Sequence, residues 1–180
     1  MRRILVLGDT HIPRRASWIP REIVEFIESE KFDIVICTGD LTDEKVLNYL
    51  KSLGKEFYVV EGNMDHIPMP EREKVKVEDL IIGVIHGHQV YPRGNRKQLK
   101  DIAIEMNVDV LISGHTHSPD IYYDEVLLLN PGSATGVWGG GGGSLKPSFM
   151  VLEVKEKNVD VKLYELEKVL KCSLKETFKL

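Results

Sequence analysis

Three times within its first 60 residues the chain runs through an unbroken apolar stretch that stops at a loop: Ile4-Leu5-Val6-Leu7, Ile34-Val35-Ile36-Cys37 and Phe57-Tyr58-Val59-Val60. These stretches do not alternate, so a strand built from any of them is buried on both faces, as in a parallel sheet covered by helices. Helical patterns fill the intervals. Pro20 opens one with Ile23, Val24 and Ile27 on a single face, and Val46, Leu47, Leu50 and Leu53 mark another. Strand, helix and strand in this order demand right-handed crossovers, which leaves few topologies.

Residues 80–85, a helical stretch carrying Leu99, Ile102, Ala103 and Met106, and residues 110–112 extend the alternation. Beyond Gly114 the pattern changes. Residues 121–123, 126–129, 149–154 and 159–163 read as strands with no helix between them, and turns such as Asp124-Glu125 and Lys157-Asn158 predict antiparallel pairing. The expected fold is α/β: two mixed β-sheets packed as a sandwich and flanked by helices, in one domain over residues 1–165. Residues 166–180 read as a charged terminal tail, with helix as the structure considered. The glycine run from Gly139 to Gly143 reads as a slack surface connection, with a mobile lid carrying Trp138 as the alternative.

A chain of 180 residues can bury a substantial core as a single domain. Its 24 basic and 28 acidic side chains leave a net charge of -4, which argues against an extended nucleic-acid surface or capture by anionic membranes. Cys37 and Cys172 form no metal-binding spacing, and Cys37 lies in an apolar run as an inert thiol would. Met1-Arg2-Arg3 enters a strand at once, leaving no room for the apolar region of a signal peptide. No apolar run approaches the roughly 18 residues of a membrane span. The expected location is the cytoplasm. Exposed aromatics such as Trp18 and Trp138 leave homo-oligomerisation open.

All 6 histidines fall in four short loops, each directly after a strand-like run: Asp9-Thr10-His11, Asn63-Met64-Asp65-His66, His86-Gly87-His88 and His115-Thr116-His117. A fifth loop, Gly39-Asp40-Leu41-Thr42-Asp43, has carboxylates in place of histidine. Open α/β sheets bind ligands beyond the carboxyl ends of their strands, where such loops converge. Imidazole and carboxylate donors without thiolate suit hard-to-borderline divalent cations. A carboxylate such as Asp40 can bridge two cations, and neutral imidazoles complete their shells without quenching their acidity. Two ions about 3.5–4 Å apart can lower the pKa of water from roughly 15.7 to near 7 and clamp the oxygens of an in-line displacement. Phosphoryl transfer fits that arrangement best.

The ordered set Asp9-x-His11, Gly39-Asp40-x-x-Asp43, Gly62-Asn63-x-Asp65, His86 and Gly114-His115-x-His117 resembles the calcineurin-like metallophosphoesterases. The short length is similar to the small bacterial and archaeal phosphodiesterases of that superfamily, relatives of the retromer subunit Vps29. The resemblance implies that Asp9, His11 and His117 hold one metal and that Asn63, His86 and His115 hold the other, with Asp40 bridging. It further implies that Asp43 and Asp65 orient imidazoles, although an aspartate after a strand is also an ordinary helix cap or turn residue. His88 either reaches substrate or stabilises its loop. Arg14, Arg15, Arg93 and Arg96 are candidates for phosphate oxygens or solvated surface charges. Residues 130–133, Asn-Pro-Gly-Ser, read as a structural turn.

One departure narrows the subfamily. Many members place a histidine between the asparagine and the acidic residue of the third motif, where it assists the leaving group; here Met64 stands there and donates no proton. His66 is the substitute to consider, against the plainer reading of an exposed loop residue. The resemblance thus implies a metal-dependent phosphodiesterase acting on a small phosphodiester through a hydroxide held at two divalent ions. Mn is the first choice, and Ni, Co, Fe and Zn are alternatives. Two rival functions are a phosphomonoesterase for a nucleotide or small metabolite and a Vps29-like scaffold without catalysis. An amidohydrolase also uses His-x-His, but its barrel needs about 250 residues.

Overall fold

The computed structural model describes residues 1–180. In chain order it contains β1 (Arg2–Leu7), α1 (Arg21–Ser29), β2 (Phe32–Cys37), α2 (Glu44–Lys51), β3 (Gly54–Val59), β4 (Arg72–Val77) and β5 (Leu80–Ile85). There follow α3 (Arg96–Met106), β6 (Val110–Ile112), β7 (Asp120–Asp124), β8 (Val126–Asn130), β9 (Ser148–Lys155), β10 (Asn158–Leu166) and β11 (Leu170–Lys179). Six strands form one sheet in the order β11-β10-β9-β1-β2-β3, and five form the other in the order β4-β5-β6-β8-β7. Both are mixed, as expected. β1, β2 and β3 are parallel, as are β5, β6 and β8, while the remaining pairs are antiparallel.

The sheets pack face to face. Ile4, Val6, Ile34 and Ile36 meet Ile82, Val84, Val110, Ile112 and Leu129 in an inter-sheet core. The alternate residues Leu5, Leu7, Val35 and Cys37 point outward under α1 and α2, against Ile23, Ile27, Val46 and Leu50. On the opposite side Leu99 and Ala103 of α3 cover Ile85, Leu111 and Leu128. Each fully buried aliphatic side chain contributes about 1.5–3 kcal/mol. Double-sided burial therefore explains why these strands read as continuous apolar runs. No helix is long and apolar enough to cross a membrane.

Register sets up the site. Leu7 pairs with Cys37, and Cys37 with Val59, so the loops after β1, β2 and β3 leave the first sheet side by side. Val84 pairs with Ile112, which levels the exits of β5 and β6 in the second sheet.

Two edge strands were not foreseen. β4 carries Arg72, Glu73, Lys74 and Lys76 around only two buried valines, Val75 and Val77, a charge-rich composition suited to an edge. The expected charged tail is a correction: residues 170–179 are β11, paired antiparallel along the whole of β10. Leu170, Leu174 and Phe178 recur every four residues, a spacing that fits both helix and strand periods. The unpaired edge of β10 decides for the strand. A bulge follows, since Leu163 pairs with Leu174 but Tyr164 with Cys172. It turns Leu170 toward the core under α1 and α2 and Phe178 toward the inter-sheet core, where its ring lies 5.8 Å from that of Tyr123. Phe178→Ala should therefore lower unfolding stability by about 1–2 kcal/mol, less than a fully buried phenylalanine would cost. Urea unfolding with an unchanged m-value is the check; a midpoint equal to wild type would mean that β11 adds nothing.

Candidate metal centre

Every expected ligand stands just beyond the carboxyl end of a strand: Asp9 and His11 after β1, Asp40 after β2, Asn63 after β3, His86 after β5, and His115 and His117 after β6. Their loops turn sharply. Asp9 (φ 51°), His11 (47°), Asp40 (52°), His115 (73°) and His117 (59°) all adopt left-handed backbone, which Asp, Asn and His tolerate better than other side chains. Loop-to-loop bonds hold these conformations. Asp9 N donates to Gly39 O (2.9 Å), His11 N to Asp40 O (3.0 Å) and Gly114 N to His86 O (2.7 Å).

The side chains converge as two groups, Asp9 with His11 and His117, and Asp40 with His86 and His115; within each, the ligand atoms lie within 4.8 Å of one another. Each group draws on both sheets. His11 Nε2 faces His117 Nε2 at 3.2 Å, and Asp9 Oδ1 is 3.5 Å from His117 Nε2. Asp40 Oδ2 lies 3.2 Å from His86 Nε2 and 3.5 Å from His11 Nε2, so one oxygen reaches ligands of both groups. Its other oxygen is occupied, accepting from Met64 N at 2.8 Å.

These donors fit divalent cations on two grounds. Asp9 Oδ1 and His86 Nε2 are buried without a hydrogen bond; the Asp40 oxygen beside His86 is near but not aligned as an acceptor. A buried polar atom left unpaired costs about 1–3 kcal/mol, and a cation between such atoms removes that cost. In addition, Thr38 O lies 2.7 Å from His86 Nδ1 and Val137 O 2.7 Å from His117 Nδ1. Each carbonyl accepts from Nδ1–H and leaves Nε2 as the donor atom toward the centre.

The electrostatics follow from crowding. Burial and the neighbouring His117 and Arg15 charges lower His11 to about 4. Burial, the His86 charge and Arg93 lower His115 to about 4, so both imidazoles keep a free lone pair at neutral pH. Burial and the Asp40 charge raise Asp9, against the pull of His86 and His117. Burial acts on Asp40 too, but His86, the Met64 N–H and His11 outweigh it and bring the carboxyl to about 2. At His86 burial opposes charge, yet Asp40 and Asp9 prevail and raise the imidazole to about 9.

His86 therefore carries a proton at pH 7 that a cation must displace. Metal uptake should release protons, and apparent affinity should fall as pH drops below about 9, because the raised pKa keeps the competing proton on. Calorimetry in buffers of different ionisation enthalpy measures the release. Uptake at pH 7 with no proton released would contradict this arrangement.

Other expected residues lie elsewhere. Asp43 caps α2, accepting from Lys45 N at 2.8 Å, and is not among the converging side chains. Asp65 orients no imidazole; its carboxylate accepts from the backbone N–H groups of Asp40 (2.8 Å), Thr42 (2.9 Å) and Gly62 (2.8 Å), joining the second and third loops. His88 is exposed at the mouth, its ring 5.5 Å from His86 and 6.3 Å from His115. His66 and Arg14 are exposed. Arg96 forms a two-point pair with Asp120 and lies over Tyr122 rather than facing the centre.

Several supports escaped the sequence reading. Asn130 Nδ2 donates to Gly114 O and Thr116 Oγ1, and Ser133 Oγ to Asp9 O (2.7 Å), so the Asn-Pro-Gly-Ser turn braces two ligand loops. The turn itself was the available signal. Arg15 and Arg93 bond carbonyls of residues 138 and 139, and the glycine run is no slack connection, because it rests on His117.

Comparison with known proteins agrees with this geometry. Residues 1–157 match the model of the calcineurin-like phosphoesterase superfamily domain. A protein of Methanocaldococcus jannaschii described as a probable metallophosphoesterase is 48% identical over 131 residues, covering 72% of this chain and 67% of its own. Vps29 of Entamoeba histolytica complexed with zinc superposes with a TM-score of 0.89 at 34% identity, covering 98% of each chain. Vacuolar Protein Sorting 29 of Cryptosporidium parvum gives 0.94 at 28% identity, over 99% of this chain and 98% of its own.

Proposed function

Since the chain belongs to the calcineurin-like phosphoesterase superfamily, whose members bind divalent metals, we propose that it is a dinuclear-metal phosphodiesterase acting on a small phosphodiester. The observation that carries this reading is the pair of ligand groups meeting at Asp40. Asp9, His11 and His117 would hold one ion and Asn63, His86 and His115 the other, with the Asp40 carboxylate between them. Divalent ions there would act as Lewis acids on phosphoryl oxygens and bring the pKa of water from roughly 15.7 to near 7. Oxygen and nitrogen donors without thiolate favour Mn, with Ni, Co, Fe and Zn as alternatives.

The chain's own residues do the positioning. The left-handed loops place Asp9, Asp40 and the imidazoles without rearrangement, and Asp65 fixes the backbone from which Asp40 projects. His88, exposed beside His86 and His115, would meet a substrate oxygen. Met64 offers its backbone N–H to Asp40 and has no side-chain proton for a leaving group. A second reading, a scaffold without catalysis, rests on the likeness to Vps29 proteins. The two converging ligand groups favour catalysis, because docking alone gives no chemical reason to retain them.

Metal-stripped protein tested with Mn, Ni, Co, Zn and Mg on chromogenic diesters and monoesters separates these readings. We expect Mn-dependent turnover with diester preferred. Monoester preference would favour the phosphomonoesterase, and no turnover with any metal would favour the scaffold. Asp40→Asn should weaken both ions and reduce turnover at least about 10²-fold, whereas Asp124→Asn, at the exposed end of β7, should change neither. Equal effects would remove the bridging assignment.

General acid catalysis is worth about 10²–10⁴-fold, and without it the rate depends on the leaving group. Aryl diesters should therefore react much faster than alkyl diesters. Met64→His should improve the alkyl substrates preferentially. A flat leaving-group plot with chemistry rate-limiting would show that another residue already supplies the proton.

A further inference from the structure

We propose that residues 137–144 form a strap that fixes the His117 ring, with Arg93 and Arg15 as its positioning residues, and that this strap sets how tightly the Asp9–His11–His117 group holds its ion. The proposal rests on the two-ion reading above. Both ends of the strap attach to one residue: Val137 O accepts from His117 Nδ1 at 2.7 Å, and Ser144 N donates to His117 O at 3.0 Å. Between them Gly139 N closes a turn on Gly142 O (2.7 Å).

The arginines hold the strap from outside. Arg15 Nη1 donates to Trp138 O (2.8 Å), while Arg93 Nη1 reaches Gly139 O (2.6 Å) and His115 O (3.3 Å). Arg93 thus ties the strap across the loop that bears both histidines. A cavity of about 380 Å³ separates Gly141, Gly142 and Gly143 from Leu128 and Leu129 of the sheet beneath, so bonds to arginine, rather than packing, fix the strap on that side. Charge-assisted bonds of this kind are roughly twice as strong as neutral ones.

The same contacts explain the glycine run. A Cβ at Gly139 would lie 2.9 Å from His117 Cγ, and one at Gly141 would lie 2.9 Å from Arg93 Nε. Any other side chain at these points would push the strap off the imidazole or off its clamp. His86 takes its orienting carbonyl from Thr38, at the buried exit of β2. His117 takes its own from a loop with no ladder to hold it. Ring orientation at His117 therefore depends on the clamps, whereas at His86 it comes with the sheet.

Two variants test this, Arg15→Ala and Gly139→Ala. Thermal unfolding of the metal-free proteins establishes that both fold. Long-range ¹⁵N–¹H spectra of metal-free protein should show His117 as the Nδ1–H tautomer in wild type and a tautomer mixture in each variant. Mn²⁺ titration by calorimetry should show two ions in wild type, with one weakened about 10–100-fold in each variant and the other unchanged, the usual cost of losing a ligand's orienting partner. Wild-type affinities with an unaltered tautomer would overturn the proposal, as would equal weakening of both ions. Failure of wild-type protein to bind two ions would instead overturn the two-ion reading, and the tautomer comparison would still judge the strap.

Discussion

A non-glycine residue in left-handed backbone stands about 1–2 kcal/mol above its ordinary conformations. The loops of this protein accept that at Asp9, His11, Asp40, Thr42, His115 and His117, all within or beside one site. Such strain persists only where the surroundings over-determine it. Here they do: Leu7, Cys37, Ile85 and Ile112, the last residues of the strands that launch these loops, are all fully buried. The loops then bond to one another rather than to solvent. Core packing, sheet register and ligand geometry are in this sense one structure.

The two ligand groups differ in their relation to solvent. Asp9, His11 and His117 are all buried; in the other group Asp40 and His86 are buried as well, but His115 is half-buried and Asn63 exposed. The deep group is completed by a loop contact from Val137, and the outer one opens toward His88. The second group is therefore open to solvent on the His88 side.

The strands and the convergence of histidines were legible because both rest on local pattern. Unbroken apolar runs announced double-sided burial correctly in β1 and β2 but not in β3, an edge strand whose Phe57, Tyr58 and Val59 are only partly buried, and a histidine just after such a run can only lie at a strand exit. The edge strands were not legible: β4 hides two valines among charges, and the four-residue spacing in β11 serves helix and strand alike. Asp43 and Asp65 share a residue type and a motif-like spacing, yet one caps a helix and the other gathers three backbone N–H groups. The cap at Asp43 is local, to Lys45 N, but the role of Asp65 depends on partners such as Asp40 N, 25 residues away, which no local pattern displays. The bond from Ser133 to Asp9 O spans 124 residues and is invisible for the same reason. The glycine run misled most directly, since absent side chains signify slack in a linker but close approach in a packed loop.

Each ligand group is assembled from both sheets: β1 with β6 for one, β2 with β5 and β6 for the other. Apolar packing between two sheets resists separation well but lateral sliding less, because dispersion and burial are non-directional. Coordination is directional. An ion seated in either group acts as a rivet through the seam, converting the sandwich from two plates in contact to one joined plate at that end. A cation bound there would also stiffen the frame against shear, and by linkage raise its resistance to unfolding as RT ln(1 + [L]/Kd).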